Sequence, residues 1–187
     1  MINERAKAIL DFCFIKTSRE QWFKKDKNFD NKLEKLFMSD YKKAVNNEYD
    51  EWQDVPEECV ALVLLLDQLS RNFFRNNLKA YTQDNKCRLI VNEAVDRGFL
   101  EELDQDKIHF LLLPLIHSED ISDHIYGHQL IDTYLKNFIE YKKIKKAWED
   151  HTIAIKKFGR YPHRNNILGR KSTAEEEKFL QTPNSSW

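Results

Sequence analysis

The residue types best suited to chemistry are concentrated in thirteen positions, Phe158-Gly159-Arg160-Tyr161-Pro162-His163-Arg164-Asn165-Asn166-Ile167-Leu168-Gly169-Arg170. Three arginines, a histidine and two asparagines stand there with two of the chain's four glycines. A connection that only turned a corner would be shorter and built from small residues. Planar guanidinium forks hold carboxylate or phosphate, and an imidazole moves a proton near neutral pH. A second polar group interrupts an apolar stretch at Asp67, Arg71 and Arg75. Five of the nine arginines, Arg71, Arg75, Arg160, Arg164 and Arg170, lie in these two motifs, while lysine dominates the other basic positions. Arginine in place of lysine suits bidentate capture of an anion.

Two readings follow. In the first, Arg71, Arg75, Arg160 and Arg164 converge on a small anion, Asp67, Asn165 and His151 help to line the pocket, and His163 or His117 exchanges protons with Glu119 or Asp67 as orienting carboxylate. That pocket requires the loop at 158–170 to fold over a helix at 56–75, with only Asp67, Glu119 and Asp120 as neutralising carboxylates. In the second reading the same arginines cap helices and pair with those carboxylates as braces, since ion-pair networks imitate sites. His151, beside an apolar stripe, suits a satisfied core position. Asp120, His124 and His128 recur at i, i+4, i+8. Without a glutamate arranged as in H-E-x-x-H, no metal is expected. No G-x-S-x-G, phosphate-cradling glycine loop or Cys–His nucleophile pair is present, and no cofactor is expected.

The elements that must carry these groups are helical. With four glycines and four prolines in 187 residues, and apolar residues spaced at the helical period, the sequence implies an all-α single domain over 1–187. Asn3 caps a first helix to about Lys16, and Ser18-Arg19-Glu20-Gln21 is a capping box. Phe29 to Val45 forms a long helix. Asp54 is the expected cap of the next, with Pro56 in its first turn. That helix, about 56–75, is apolar all round and therefore central and buried, and its charges come as the i, i+4 pair Asp67 and Arg71. Leu78 to Arg97 is expected as one helix closed by Gly98. Asp104 opens a short helix ended by Pro114, and Ser118 caps the region beyond. Two helices with a break around 137–144 fill it, and Gly159 stops the second. Ser172-Thr173-Ala174-Glu175 is expected as a final capping box.

Thirty basic against thirty-one acidic residues leave no basic field, so nucleic acid is not an expected partner. Cys13, Cys59 and Cys87 are scattered through apolar patterns, as buried thiols of a reducing compartment would be. With no leader pattern and no apolar run of spanning length, the expected protein is cytoplasmic and makes no membrane contact.

Leu66-Asp67-Gln68-Leu69-Ser70-Arg71-Asn72-Phe73-Phe74-Arg75, His117-Ser118-Glu119-Asp120, and His151 followed by Phe158 to Asn165, Leu168-Gly169-Arg170 and Ser172-Thr173 resemble the bacterial domain-of-unknown-function 924 family. Leu10-Asp11-Phe12 and the stretch from Trp22-Phe23 to Phe29-Asp30 join the match, which covers essentially the whole chain. The chain departs from the usual pattern at Ser70, where proline is common, and at His124, where glutamine is. The resemblance implies seven to nine helices in a tetratricopeptide-like antiparallel array, and it brings no established activity. The expected function is binding of a phosphate- or carboxylate-bearing metabolite, as a hydrolase or transferase in its catalytic form. The alternative is a non-catalytic helical array that binds a protein segment.

Overall fold

The computed structural model describes residues 2–186, which are all-α with no strand. They group into two compact units, one up to Pro114 and one from Leu115 onward.

In the first unit, Asn3 accepts from the Arg5 amide at 2.9 Å and caps α1 (Glu4–Leu10), which continues as a π-helical stretch, Asp11–Lys16. Ser18 and Gln21 close the expected capping box on α2 (Arg19–Phe23). The Asp26 carboxylate caps α3 (Lys27–Val45). Asp54 does not cap the next helix. Val55 holds the N-cap position of α4 (Pro56–Val63), and Asp54 instead accepts from Arg97 Nη1 at 3.1 Å.

Every residue from Cys59 to Leu66 is at most 1 % exposed, so this is the central helix of its unit. It passes into a π-helical stretch, Leu64–Leu69, and returns to α geometry in α5 (Ser70–Phe73). The helix expected from Leu78 to Arg97 is divided. Asn77 caps a 3-10 turn, Leu78–Tyr81, and α6 begins only at Asp84 (Asp84–Asp96). Gly98 follows at φ +77°, the left-handed closure that glycine adopts without a Cβ penalty. Asp104 accepts from the Lys107 amide at 2.9 Å at the head of α7 (Gln105–His117). Pro114 lies inside α7 and does not end it, because burial of Leu115 and Ile116, 0 % and 1 % exposed, outweighs the backbone hydrogen bond that proline cannot donate.

In the second unit Asp120 caps α8 (Ile121–Tyr134), its carboxylate accepting from the Ser122 amide at 2.9 Å. Ser118, the expected cap, sits one step outside. It accepts from the Asp120 amide at 3.1 Å and donates to the Asp123 carboxylate at 2.6 Å. The break falls at 135–140, and α9 (Tyr141–Phe158) ends at Gly159, φ +65°. Gly127 of α8 lies against the Trp148 ring of α9; a Cβ there would stand 2.5 Å from that ring. After α9 the chain makes a 3-10 turn, Pro162–Arg164, and closes in α10 (Ala174–Leu180). The final capping box is Thr173 with Glu176, one residue later than expected, because Thr173 holds the extended N-cap backbone.

Candidate functional site

The two polar motifs lie in different units. In the first, the Asp67 carboxylate accepts from Arg71 Nη1 at 3.1 Å, the buried i, i+4 pair the pattern implies. Arg71 Nη2 also forks onto Asp84 at 3.0 and 3.1 Å, and the guanidinium lies 5.6 Å from the Tyr81 ring centre. Burial opposes a charge on Arg71, but Asp67 and Asp84 outweigh it and hold the guanidinium firmly protonated. Arg75 donates through Nε and Nη2 to Asp30, which also accepts from the Asn72 amide group at 2.7 Å. The carboxylates that neutralise this helix therefore include Asp84 and Asp30, beyond the three the sequence reading named. Asp30 stands in one of the stretches that carry the family resemblance. Asp84 left no signal, because its meeting with Arg71 depends on the turn at Thr82 and Gln83.

The second unit gathers the remaining motif. Arg160 forks onto Glu176 at 2.6 and 2.8 Å and reaches the Lys171 carbonyl at 3.0 Å. Glu176 also accepts from the Thr173 amide at 2.8 Å and from Asn165 Nδ2 at 3.3 Å. The Arg160 bond, helped by those donors against the pull of burial, holds the Glu176 carboxyl down to about 2. Arg170 forks onto Glu119 at 2.6 and 2.9 Å, and Glu119 accepts the Tyr161 amide at 2.8 Å. Burial resists ionisation of Glu119, but Arg170, the Tyr161 amide and the nearby Arg164 overcome it, and its pKa lies below the ordinary value. Asp120, expected as a third neutralising carboxylate, is instead occupied as a helix cap. Asn165 is 1 % exposed; its Nδ2 donates to Ser172 at 3.0 Å, and its Oδ1 accepts no hydrogen bond from the described residues.

Within this frame Tyr161, 0 % exposed, is the hub. Its hydroxyl donates to the Ile116 carbonyl, which fixes the ring. His163, His151 and His124 lie with ring centres 5.4, 6.0 and 6.2 Å from it, and His117 lies 6.4 Å from His151. The Arg164 guanidinium, on a residue 6 % exposed, sits 4.4 Å from the Tyr161 ring centre. His151 Nδ1 is 2.7 Å from the Ala147 carbonyl, and a carbonyl only accepts. The proton is therefore on Nδ1, and Nε2 is the basic nitrogen. Burial first, and then His117, His124 and His163, push His151 down to about 3, so it is neutral at pH 7.

The arrangement brings together His117, His151, His163 and Arg164 among the candidate residues, with Glu119 as a clamp on the loop backbone, while Asn165 joins Arg160 at Glu176. Tyr161 was missed as a centre, and no periodicity marks it. His124 and His128 do not form a metal face with Asp120. Both turn towards Thr152 Oγ1, at 3.0 and 2.9 Å, and no group of three His, Cys, Asp or Glu among the described residues could hold a metal ion. Cys13, Cys59 and Cys87 are buried free thiols, and burial pushes Cys59 up to about 12. No helix among the described residues is long and apolar enough to cross a membrane.

A comparison with the curated proteins finds no match. Among solved structures the chain is similar to a protein of unknown function from Agrobacterium tumefaciens, at 35 % identity and a TM-score of 0.86, over 94 % of this chain and 96 % of that one. Residues 9–184 match the family described as bacterial protein of unknown function, DUF924, and both polar motifs fall inside that span. The chain belongs to the DUF924 family.

Proposed function

We propose that the protein binds a small metabolite bearing a carboxylate or phosphate at the cluster of His117, His151, His163 and Arg164 around Tyr161. The observation that carries this reading is the grouping of two half-buried imidazoles, His151 and His163, and one buried guanidinium on a single fixed ring, with His117 against His151. A structural core has no need of so many titratable rings, and imidazoles beside a cation suit proton exchange on a bound anion. In the catalytic form, His163 or His117 is the acid–base group of a hydrolase or transferase. Arg160 and Arg170 brace the loop that carries this cluster, each forked onto a carboxylate, while Arg71 and Arg75 are forked onto carboxylates of the other unit.

That same pairing favours one competing reading, a tetratricopeptide-like array in which the motifs are braces and the ligand is a protein segment. Sulfate and a panel of phosphorylated and carboxylated metabolites separate the two. A saturable rise in melting temperature with such anions supports the site through mass action. The rise should be lost in Arg164→Lys, with the circular dichroism spectrum kept. No response to any member of the panel would sink the anion reading.

A further inference from the structure

His124 is 0 % exposed, with its ring centre 6.2 Å from that of Tyr161, the hub of the proposed anion site, Nε2 2.8 Å from the Ser118 carbonyl and Nδ1 3.0 Å from Thr152 Oγ1. Thr152 Oγ1 has two further neighbours, His128 Nε2 at 2.9 Å and the Trp148 carbonyl at 2.8 Å. A hydroxyl donates once and accepts twice, and a carbonyl only accepts. Nε2 of His124 must therefore carry a proton whichever way the hydroxyl turns.

Two complete patterns keep a proton on His128 Nε2. With His124 neutral, the Thr152 hydroxyl donates to Nδ1 and accepts from His128 Nε2–H. With His124 doubly protonated, Nδ1–H and His128 Nε2–H both donate to Thr152 Oγ1, and the hydroxyl donates to the Trp148 carbonyl. The two differ by one proton and one hydroxyl rotation, and neither leaves the Thr152 hydroxyl or a histidine nitrogen facing it unpaired.

We propose that Thr152 is a proton rotor through which half-buried His128 charges buried His124, adding one positive charge beside the anion site and tightening its hold as pH falls. This rests on the anion reading for its consequence but not for its mechanism. In the transfer, imidazolium His128 passes its Nε2 proton to Thr152 Oγ1 while the hydroxyl proton moves to His124 Nδ1. His124 becomes imidazolium, and His128 is left neutral with its proton on Nδ1 and its Nε2 accepting from the Thr152 hydroxyl; tautomer exchange of half-buried His128 through solvent restores Nε2–H, and the hydroxyl turns to the Trp148 carbonyl.

The groups facing His124 are His117 from α7, Asp123 and His128 from its own helix, His151 from α9 and the Tyr161 ring from the loop. Burial and the other histidines oppose the charge, whereas the Ser118 carbonyl and, less strongly, Asp123 favour it. His124 and His128 are both pushed below the ordinary histidine value, His124 chiefly by burial. The resting pattern at pH 7 is therefore the neutral one.

Nitrogen NMR of the histidine rings between pH 7.5 and 5 tests the rotor directly. The expected result is His124 as the Nε2–H tautomer at pH 7.5, gaining its second proton on acidification. Thr152→Val should displace that titration, while Thr152→Ser, which restores the hydroxyl, should return it. His124 neutral down to pH 5, or titrating identically in Thr152→Val, overturns the proposal. Sulfate, a dianion throughout this range, tests the consequence. It should bind about tenfold tighter at pH 5 than at pH 7.5, as one added charge a short distance from a dianion implies. His124→Gln should lose most of that gain, keeping only what the other histidines of the site supply. The full gain persisting in His124→Gln overturns the proposed link between His124 and the anion site. A rotor seen by NMR without sulfate binding at either pH would refute the anion reading alone.

Discussion

Asp67 is 1 % exposed and faces a guanidinium that also forks onto Asp84. Removing one partner of a buried pair leaves the other uncompensated, at about 3–5 kcal/mol. Because Asp84 keeps part of that compensation, Asp67→Ala should fall at the lower end, about 3 kcal/mol by equilibrium urea unfolding. An unchanged midpoint would mean that Asp84 alone satisfies Arg71. Glu176 predicts a pH effect. Its folded value of about 2 lies below the ordinary 4.5, so its stabilisation is complete above pH 4.5 and fades as pH falls towards 2. Melting temperatures across that window should drop less steeply in Glu176→Gln, which has no carboxylate to protonate. An equally steep drop would assign the acid sensitivity to other groups.

The contact of α8 with α9 is set by the absence of a side chain at Gly127. Alanine is the better helix former by about 1 kcal/mol. Yet a Cβ would stand 2.5 Å from the Trp148 ring and 3.3 Å from Leu115 Cβ, and overpacking costs about 1–3 kcal/mol. Gly127→Ala should therefore destabilise, read as a lower urea midpoint, and a stabilised variant would show that Trp148 can swing away. Nothing in the sequence separates this glycine from a tolerated interruption, because the conflict lies with a residue on another helix. The legible elements were those with local causes: Asn3 and Ser18 at helix starts, Gly98 and Gly159 at left-handed stops, and the apolar run of α4. Pro114 inside α7 was not legible, since burial of the residues after it decides the outcome. In the candidate site, residue types could be read, and so could the Asp67–Arg71 pair. The pairings with Asp30, Asp84 and Glu176 could not, because they depend on turns and helix ends. Glu176 shows how narrow the gap was: moving the capping box by one residue places the carboxylate that holds Arg160.

At the scale of the whole molecule, the histidines of the expected metal face and His151 are engaged within the protein. His124 engages Ser118 and Thr152, His128 engages Thr152, and His151 Nδ1 donates to Ala147. Elemental analysis of purified protein should therefore give transition metal far below one equivalent per chain. One equivalent, lost in His124→Ala, would contradict that. The π-helical stretch at Leu64–Leu69 sets a different limit, on chain length. Such a stretch accommodates an extra residue within an α-helix, and each α-helical residue advances the helix by about 100°. Deleting one residue there would let the helix run straight, but everything beyond would turn by that angle. Arg71 would swing off Asp84 and Arg75 off Asp30 together. Aligned relatives should accordingly vary in length at the 135–140 turn and keep the spacing from Pro56 to Arg75 constant, because here a single missing residue changes not the length of a helix but the direction in which its arginines point.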